Sequence, residues 1–301
     1  MFYKPSGKAP VDGLLMGLVV GGLCAVPLAA IYAYAITYIP IIGVVTFILT
    51  GGFALLVAVA ASTPMHSRKV RGPLPASLVG AFAGLISLWA MWIFWLYALL
   101  HREEGAGQDV GLLDLAINPF ATWKLIELVN ETGSWSLKGA TPTGAILWII
   151  WGCEAAILVG LPMWLTASNA SDPFCEKCDT WCEQKLGFFI TEPVERKQLE
   201  DWLRAGRLDQ LAGTPAPTNA STFQSTVAVR CGCGETSTVS VIETRPDNKG
   251  NAQTNDLVRN VLLPRDGIST LLRLREERAK KFGVESVAVV ATVTTEPPAP
   301  T

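Results

Sequence analysis

No Asp, Glu, Lys or Arg occurs between residues 13 and 67, and this stretch constrains the fold more than any other feature of the sequence. A helix of about 20 apolar residues crosses a bilayer, so a stretch more than twice that long must cross it twice. Proline interrupts the hydrogen-bond ladder of a helix, and Pro40 therefore predicts the turn between the two crossings. We expect these two helices to cover residues 13–36 and 41–61.

Two further apolar stretches, residues 76–100 and 143–166, have the length of membrane spans, whereas the chain after Asp172 is densely charged. The predicted fold is therefore an α-helical transmembrane bundle of four helices, joined to a small soluble α+β domain. Four parts follow from this division: an N-terminus, the bundle, the soluble domain and a disordered tail, at residues 1–10, 11–167, 168–283 and 284–301.

The distribution of Lys and Arg predicts the orientation in the membrane. The loop at residues 101–142 is acidic on balance, while basic residues precede the first helix and separate the second from the third: Lys4, Lys8, Arg68, Lys69 and Arg71. By the positive-inside rule, the N-terminus and the soluble domain are cytoplasmic and the 101–142 loop is external. We expect an integral protein of a bacterial inner membrane that contacts membrane lipid. The near-neutral net charge argues against nucleic acid as a partner.

Small residues recur at every fourth position in three of the four predicted spans. They are Gly13, Gly17, Gly21, Ala25, Ala29 and Ala33 in the first span, Ala76, Gly80 and Gly84 in the third, and Gly152, Ala156 and Gly160 in the fourth. Such stripes let helix backbones approach closely in lipid. They predict tight packing within the bundle, with a homodimer face as the alternative. The external loop adds an amphipathic helix at residues 120–131, which lies on the membrane surface or covers the bundle.

Glu154 is the single ionisable acid or base inside the four predicted spans. A carboxyl at that depth is costly and indicates a functional or structural contact. It points about 200° away from Gly152 on a helical wheel, so it faces outward if the stripe of small residues packs into the bundle. Three roles remain open: a hydrogen bond to Thr46, Thr50 or Ser87, a contact with a partner membrane subunit, or an ion or proton path.

Five cysteines lie in the predicted soluble domain, in two groups of closely spaced thiols: Cys175, Cys178, Cys182, Cys231 and Cys233. A Cys-x-x-Cys turn brings two sulfurs to one zinc ion, and a second close pair completes a tetrahedral site. The best ligand set is Cys175, Cys178, Cys231 and Cys233, with Cys182 as a spare ligand on a helix that follows the first pair. A redox dithiol and reduced thiols without a metal are the alternatives.

This arrangement resembles a zinc ribbon, in which two cysteine turns from distant parts of the sequence meet on one ion. The resemblance covers only the two turns and their flanking strands, and Cys231-Gly232-Cys233 is shorter than the commoner second Cys-x-x-Cys. It implies a structural zinc. The sequences at residues 222–230 and 235–243 predict an antiparallel hairpin around this turn, residues 257–263 predict a third strand, and residues 192–211 predict a helix that breaks at Gly206.

The sequence favours a non-enzymatic membrane protein whose zinc-bound cytoplasmic domain docks a protein partner, or a second copy of the chain, or regulates a membrane complex. Phosphate-binding loops, nucleophile elbows and zinc-protease motifs are absent from the sequence, and only His66 and His101 could serve as histidine bases. A channel or transporter subunit that uses Glu154 is one alternative. A membrane thiol oxidoreductase that uses Cys175 and Cys178 is the other.

Overall fold

The computed structural model describes residues 1–39, 44–102, 109–133, 141–217, 222–247 and 251–282. The chain forms two compact units, which we name the membrane unit, Ser6–Ser171, and the C-terminal unit, Met1–Pro5 with Asp172–Thr301. Pro40, at which the sequence predicts the first turn, and the predicted tail at residues 284–301 lie outside the described residues.

Four helices of the membrane unit are long and apolar enough to cross a membrane, which confirms the predicted number of spans. Two shorter helices, α4 and α5, precede the last of them. The helices are α1 Val11–Tyr38, α2 Val44–Ser67, α3 Pro73–Leu100, α4 Leu112–Ile117, α5 Pro119–Thr132 and α6 Gly144–Asn169. Helix α1 packs on α2 and α3, and α6 packs on α3 and α2. The predicted amphipathic helix is α5.

The small residues of α1 are buried, as the sequence predicts, and they form its contact with α2. A Cβ atom added to Gly17 would lie 2.6 Å from Cγ of Met65, and one added to Gly21 would lie 2.9 Å from Cβ of Ala61. Both distances are shorter than a van der Waals contact. Glycine at these positions is therefore what allows α1 and α2 to approach so closely.

The stripe on α3 has the same role against α6. A Cβ atom at Gly84 would lie 2.6 Å from the carbonyl oxygen of Leu158 and 2.8 Å from Cα of Val159. Gly80 faces the backbone of Pro162 in the same way. The contact thus joins the surface of α3 directly to the backbone of α6, and a larger side chain at Gly80 or Gly84 would separate the helices.

The stripe on α6 behaves differently from the other two. Gly152, Ala156 and Gly160 are exposed, and a Cβ atom at either glycine would meet open space among the described residues. The opposite face packs inward, with Leu147 and Leu158 fully buried. Because the glycines of α3 already create the groove, the surface of α6 that fills it can carry large side chains.

In its described residues, the C-terminal unit contains two small sheets and three helices. In chain order they are β1 Phe174–Cys175, β2 Thr180–Trp181, β3 Gln184–Thr191, α7 Arg196–Arg204, α8 Leu208–Gly213, β4 Phe223–Arg230, β5 Ser237–Pro246, β6 Ala252–Leu262 and α9 Gly267–Phe282. Strands β4 and β5 pair antiparallel, as the sequence predicts. The predicted helical segment does break at Gly206, which has φ = 70° and separates α7 from α8.

Strands β3 to β6 form one antiparallel sheet in sequential order. Strand β3 is not predicted from the sequence. A helix is predicted after the first cysteine pair, but the structure has this strand there. The N-terminus joins the opposite edge, because Phe2 pairs with Val261 and the N–H of Leu262 donates to the carbonyl of Met1 at 2.9 Å. The start of the chain is therefore part of the C-terminal unit rather than of the bundle.

Helices α7, α8 and α9 cover one face of this sheet and share an apolar core with it. Arg278 on α9 is buried, and its guanidinium donates to the carbonyl oxygens of Ala212, Thr214 and Ile190. This side chain ties α9 to the end of α8 and to β3. The other charged side chains of α9 are exposed or half-buried.

Two matched glycine substitutions test the packing of α3 on α6. Gly84→Ala places a methyl group against the backbone of α6, and overpacking of this kind costs about 1–3 kcal/mol. Gly160→Ala adds the same group where the described structure is open, and alanine favours a helix by about 1 kcal/mol over glycine. We expect thermal unfolding in detergent, followed by circular dichroism, to occur at a lower temperature for Gly84→Ala only. Equal stability of the two variants would contradict the close contact.

Candidate metal centre and the intramembrane carboxyl

Two tight turns supply the four cysteines of the predicted ligand set. Cys175 ends β1, and Cys178 lies in the turn between β1 and β2, which pair antiparallel. Cys231 and Cys233 lie between β4 and β5, where the N–H of Gly234 donates to the carbonyl of Cys231 at 2.9 Å. Gly234 has φ = 74°, a left-handed conformation that favours glycine. The short Cys-Gly-Cys-Gly turn therefore favours glycine at position 234.

The four sulfur atoms of these turns all lie within 4.8 Å of one another. The Sγ of Cys233 is 3.6 Å from that of Cys175 and 3.7 Å from that of Cys231. A tetrahedral ion with metal–sulfur distances of about 2.3 Å separates its ligands by about 3.8 Å. A disulfide would require about 2.05 Å. The distances are therefore compatible with four ligands around one metal ion and too long for disulfides.

The protonation of the thiols follows from their crowding. Burial opposes ionisation of Cys175, but hydrogen bonds to its sulfur, including one from the backbone of Cys178, outweigh burial and lower its pKa to about 6. The pKa of Cys178 is instead raised to about 12 by hydrogen bonds with the sulfurs of Cys233 and Cys231. One thiolate therefore opposes the ionisation of its neighbours. A divalent cation removes this conflict, because it neutralises the thiolates that bind it.

An exposed ion-pair cluster lies beside the sulfurs and includes one residue of the first turn. Glu235, which follows the second turn, lies 3.8 Å from Nζ of Lys177 in the first turn and 2.7 Å from Nη2 of Arg265. The hydrogen bond from Arg265 lowers the pKa of the Glu235 carboxyl. No pattern in the sequence relates these three residues, because they are adjacent only after the chain has folded.

Cys182 lies outside the group of four sulfurs that could share an ion. It immediately follows β2 and lies two residues before the start of β3, so it is not on the helix that the sequence predicts there. Its side chain is buried, and its Sγ lies 3.9 Å from the carbonyl oxygen of Thr236. Burial raises the pKa of this thiol to about 12, which favours the neutral form over a thiolate ligand.

Glu154 lies on α6 near the face that packs into the bundle. The exposed stripe at Gly152, Ala156 and Gly160 points the other way, and Trp151 and Leu158 on either side of Glu154 are buried. The sequence predicts an outward Glu154 only if the stripe of small residues packs into the bundle, and this condition is not met because the stripe is exposed. The carboxyl is half-buried at the edge of the packed face.

Hydroxyl groups of α1 and α2 meet near this carboxyl. Tyr32, on α1, shares a hydrogen bond of 2.7 Å with Oγ1 of Thr50 on α2, and Glu154 interacts electrostatically with Tyr32. Of the expected partners, Thr50 donates to the carbonyl of Thr46, and Ser87 donates to the carbonyl of Gly84. Tyr32 is not predicted as a neighbour of Glu154, because no local sequence pattern relates the two residues.

The fold and the cysteine cluster define a class rather than a family: a protein with four membrane-length helices and a sheet-containing C-terminal unit that offers four thiols to one metal ion. No protein-family model, curated protein or solved structure matches the chain. The residues and their geometry are therefore the basis for assigning a function.

We expect one metal ion per chain, held by the four clustered cysteines. Cys175→Ser and Cys233→Ser each remove one ligand and should sharply lower the metal content and destabilise the C-terminal unit. Metal binding to such a site contributes on the order of 10 kcal/mol to folding. Cys182→Ser is the matched control and should keep the metal. Elemental analysis of the purified full-length variants measures this, and full occupancy in both ligand variants would exclude the site.

Proposed function

We propose that the protein is a non-enzymatic integral membrane protein whose cytoplasmic C-terminal unit, stabilised by a structural zinc ion, binds a protein partner or regulates a membrane complex. The observation that carries this proposal is the group of four sulfurs within 4.8 Å of one another. A site with four thiolates is closed and serves structure, whereas a catalytic zinc keeps an open position for water or substrate.

Zinc fits this site for chemical reasons. Four thiolates in tetrahedral geometry select zinc or iron among the common metals. On the cytoplasmic side, which the Lys and Arg distribution favours, thiols stay reduced and available to a metal. Elemental analysis distinguishes the two metals directly, and a mononuclear iron site would in addition be coloured.

The composition of the C-terminal unit supports a binding role rather than an enzymatic one. Both histidines of the chain, His66 and His101, belong to the membrane unit, so this unit lacks the commonest general base. Met1 and Leu272 are the exposed large apolar side chains among its described residues. A partner would therefore meet a mainly polar surface on the described residues of this unit.

Recovery of a partner from mild detergent tests this role. We expect the full-length protein and Cys182→Ser to recover the same partner, while Cys175→Ser and Cys233→Ser lose it because the metal-bound unit unfolds. Cross-linking in the membrane before extraction, followed by mass spectrometry, identifies the partner. Recovery of equal amounts of partner by all four proteins, with the metal absent from the two ligand variants, would contradict the proposal.

A channel or transporter subunit is the second candidate. The observation that favours it is the position of Glu154 near the Tyr32–Thr50 hydroxyl pair instead of on the exposed stripe. A proton or ion path would use the carboxyl itself, whereas a contact between helices needs only a hydrogen-bonding group of its size.

Two substitutions at Glu154 distinguish contact from transport. Glu154→Gln keeps the shape and a hydrogen-bond donor, so we expect unchanged thermal stability and partner recovery. Glu154→Leu should keep the helix inserted but weaken association, because it removes the polar group. Stability, partner recovery and ion flux are measured on the purified and reconstituted protein. Flux that the wild type shows and Glu154→Gln loses, with assembly intact, would favour the transporter.

The third candidate, a thiol oxidoreductase that uses Cys175 and Cys178, makes a different prediction for the thiols. It requires a disulfide that forms and opens reversibly. The closed metal site instead requires masked thiols that become reactive once a chelator removes the ion. Thiol titration of the wild type before and after chelation separates the two.

A further inference from the structure

We propose that α4 and α5 form a membrane wedge, in which Leu113, Ile117 and Phe120 insert among the acyl chains of the leaflet at that end of the bundle. These three side chains are 73%, 76% and 70% exposed, more than most apolar residues of the membrane-length helices. They occupy one short stretch around the junction of α4 and α5. The occupant that this surface fits is the phospholipid bilayer.

The wedge has a defined depth along α6. The side-chain amide of Asn130, near the end of α5, donates to the carbonyl of Gly144 at 3.0 Å, and Gly144 is the first residue of α6. Further back on α5, the ring of Trp123 stacks on Trp148 at a centroid distance of 5.4 Å. Four residues along a helix rise about 6 Å, so the start of α5 lies deeper along α6 than its end.

The surface of α6 at this depth is itself lipid-facing. Ile146 and Ile149 are among the most exposed apolar side chains of the membrane-length helices, and Trp148 between them is partly exposed. Trp123 continues this apolar surface from α6 onto α5. The exposed residues of the wedge thus extend a surface that the membrane-spanning helix already presents to lipid, which argues for lipid rather than a protein as the occupant.

The positions of the charged residues of α5 also relate to depth along α6. Glu127 and Glu131 lie towards the end of the helix, on the shallow side, with the exposed Leu128 between them, while Phe120 and Trp123 lie on the deep side. Lys124 lies between them, with its Nζ 4.8 Å from the centroid of the Phe120 ring. A lysine at this level can place its ammonium group among the headgroups while its stem covers the ring.

The inward side of the wedge is anchored to the protein. Leu115 and Ile126 are buried, and the hydroxyl of Thr122 donates to the carbonyl of Leu115 at 2.7 Å, which joins α5 to α4. With Asn130 bound to Gly144, both helices are held in place. The wedge is therefore a preformed surface, with one face packed on the bundle core and the other exposed.

Site-specific photo-crosslinking of the full-length protein in phosphatidylcholine nanodiscs tests the wedge. The photoreactive residue p-benzoylphenylalanine is placed at position 117 or 120 and, as the matched control, at position 131. Mass spectrometry then measures the fraction of protein that carries a covalently attached phospholipid. We expect lipid adducts several-fold more frequent at positions 117 and 120 than at 131, because only the first two lie at acyl-chain depth.

A charge in the wedge supplies the second measurement. Ile117→Asp should strongly reduce the lipid adduct at position 120, since a carboxylate is excluded from the acyl chains, while Thr132→Asp at the shallow end should leave it unchanged. Gel filtration and thermal unfolding confirm that both variants are folded. Adducts equally frequent at 117 and 131, or cross-links from 117 and 120 to a protein instead of lipid, would overturn the proposal.

Discussion

The contact of the α3 surface with the backbone of α6 is the interaction on which the membrane unit depends. In lipid there is no hydrophobic force between helices, so association rests on dispersion contacts that act only at short range. Gly84 permits this range, since any Cβ atom there would lie 2.6 Å from the carbonyl oxygen of Leu158. Helix α1 uses the same device against α2, at Gly17 and Gly21.

That contact fixes the rotation of α6 about its own axis. The rotation decides which side chains of α6 point into the bundle. With the glycines on α3, α6 presents large side chains inward, and Trp151 packs edge-on against Trp92 at 4.9 Å and against Trp148 at 5.3 Å. This aromatic cluster continues through Trp148 to Trp123 on α5. The same rotation of α6 brings Glu154 towards Tyr32 and leaves the glycine stripe outside.

The C-terminal unit depends on a different constraint, the concentration of like charge at four sulfurs. Thiols that lie 3.6 to 3.7 Å apart cannot all ionise without a cation, and the opposite pKa shifts of Cys175 and Cys178 express this conflict. The sheet holds the second turn at the end of β4 and β5, and Lys177 of the first turn lies 3.8 Å from the carboxylate of Glu235. The fold therefore brings the four sulfurs together at distances that are compatible with one metal ion.

The sequence by itself determined the features that short-range patterns encode. Hydropathy over one helix length indicated the four membrane-length helices, Cys-x-x-Cys and Cys-x-Cys indicated the four cysteines that cluster, and Gly206 indicated the break between α7 and α8. Only the tertiary structure decided which face of α6 is buried, because small residues on one helix allow large ones on its partner. It also revealed β3, whose bulge between Gly187 and Phe189 disrupts the alternation of a regular strand, and the pairing of Phe2 with Val261. These features join residues far apart in the chain, and no local pattern specifies such pairings.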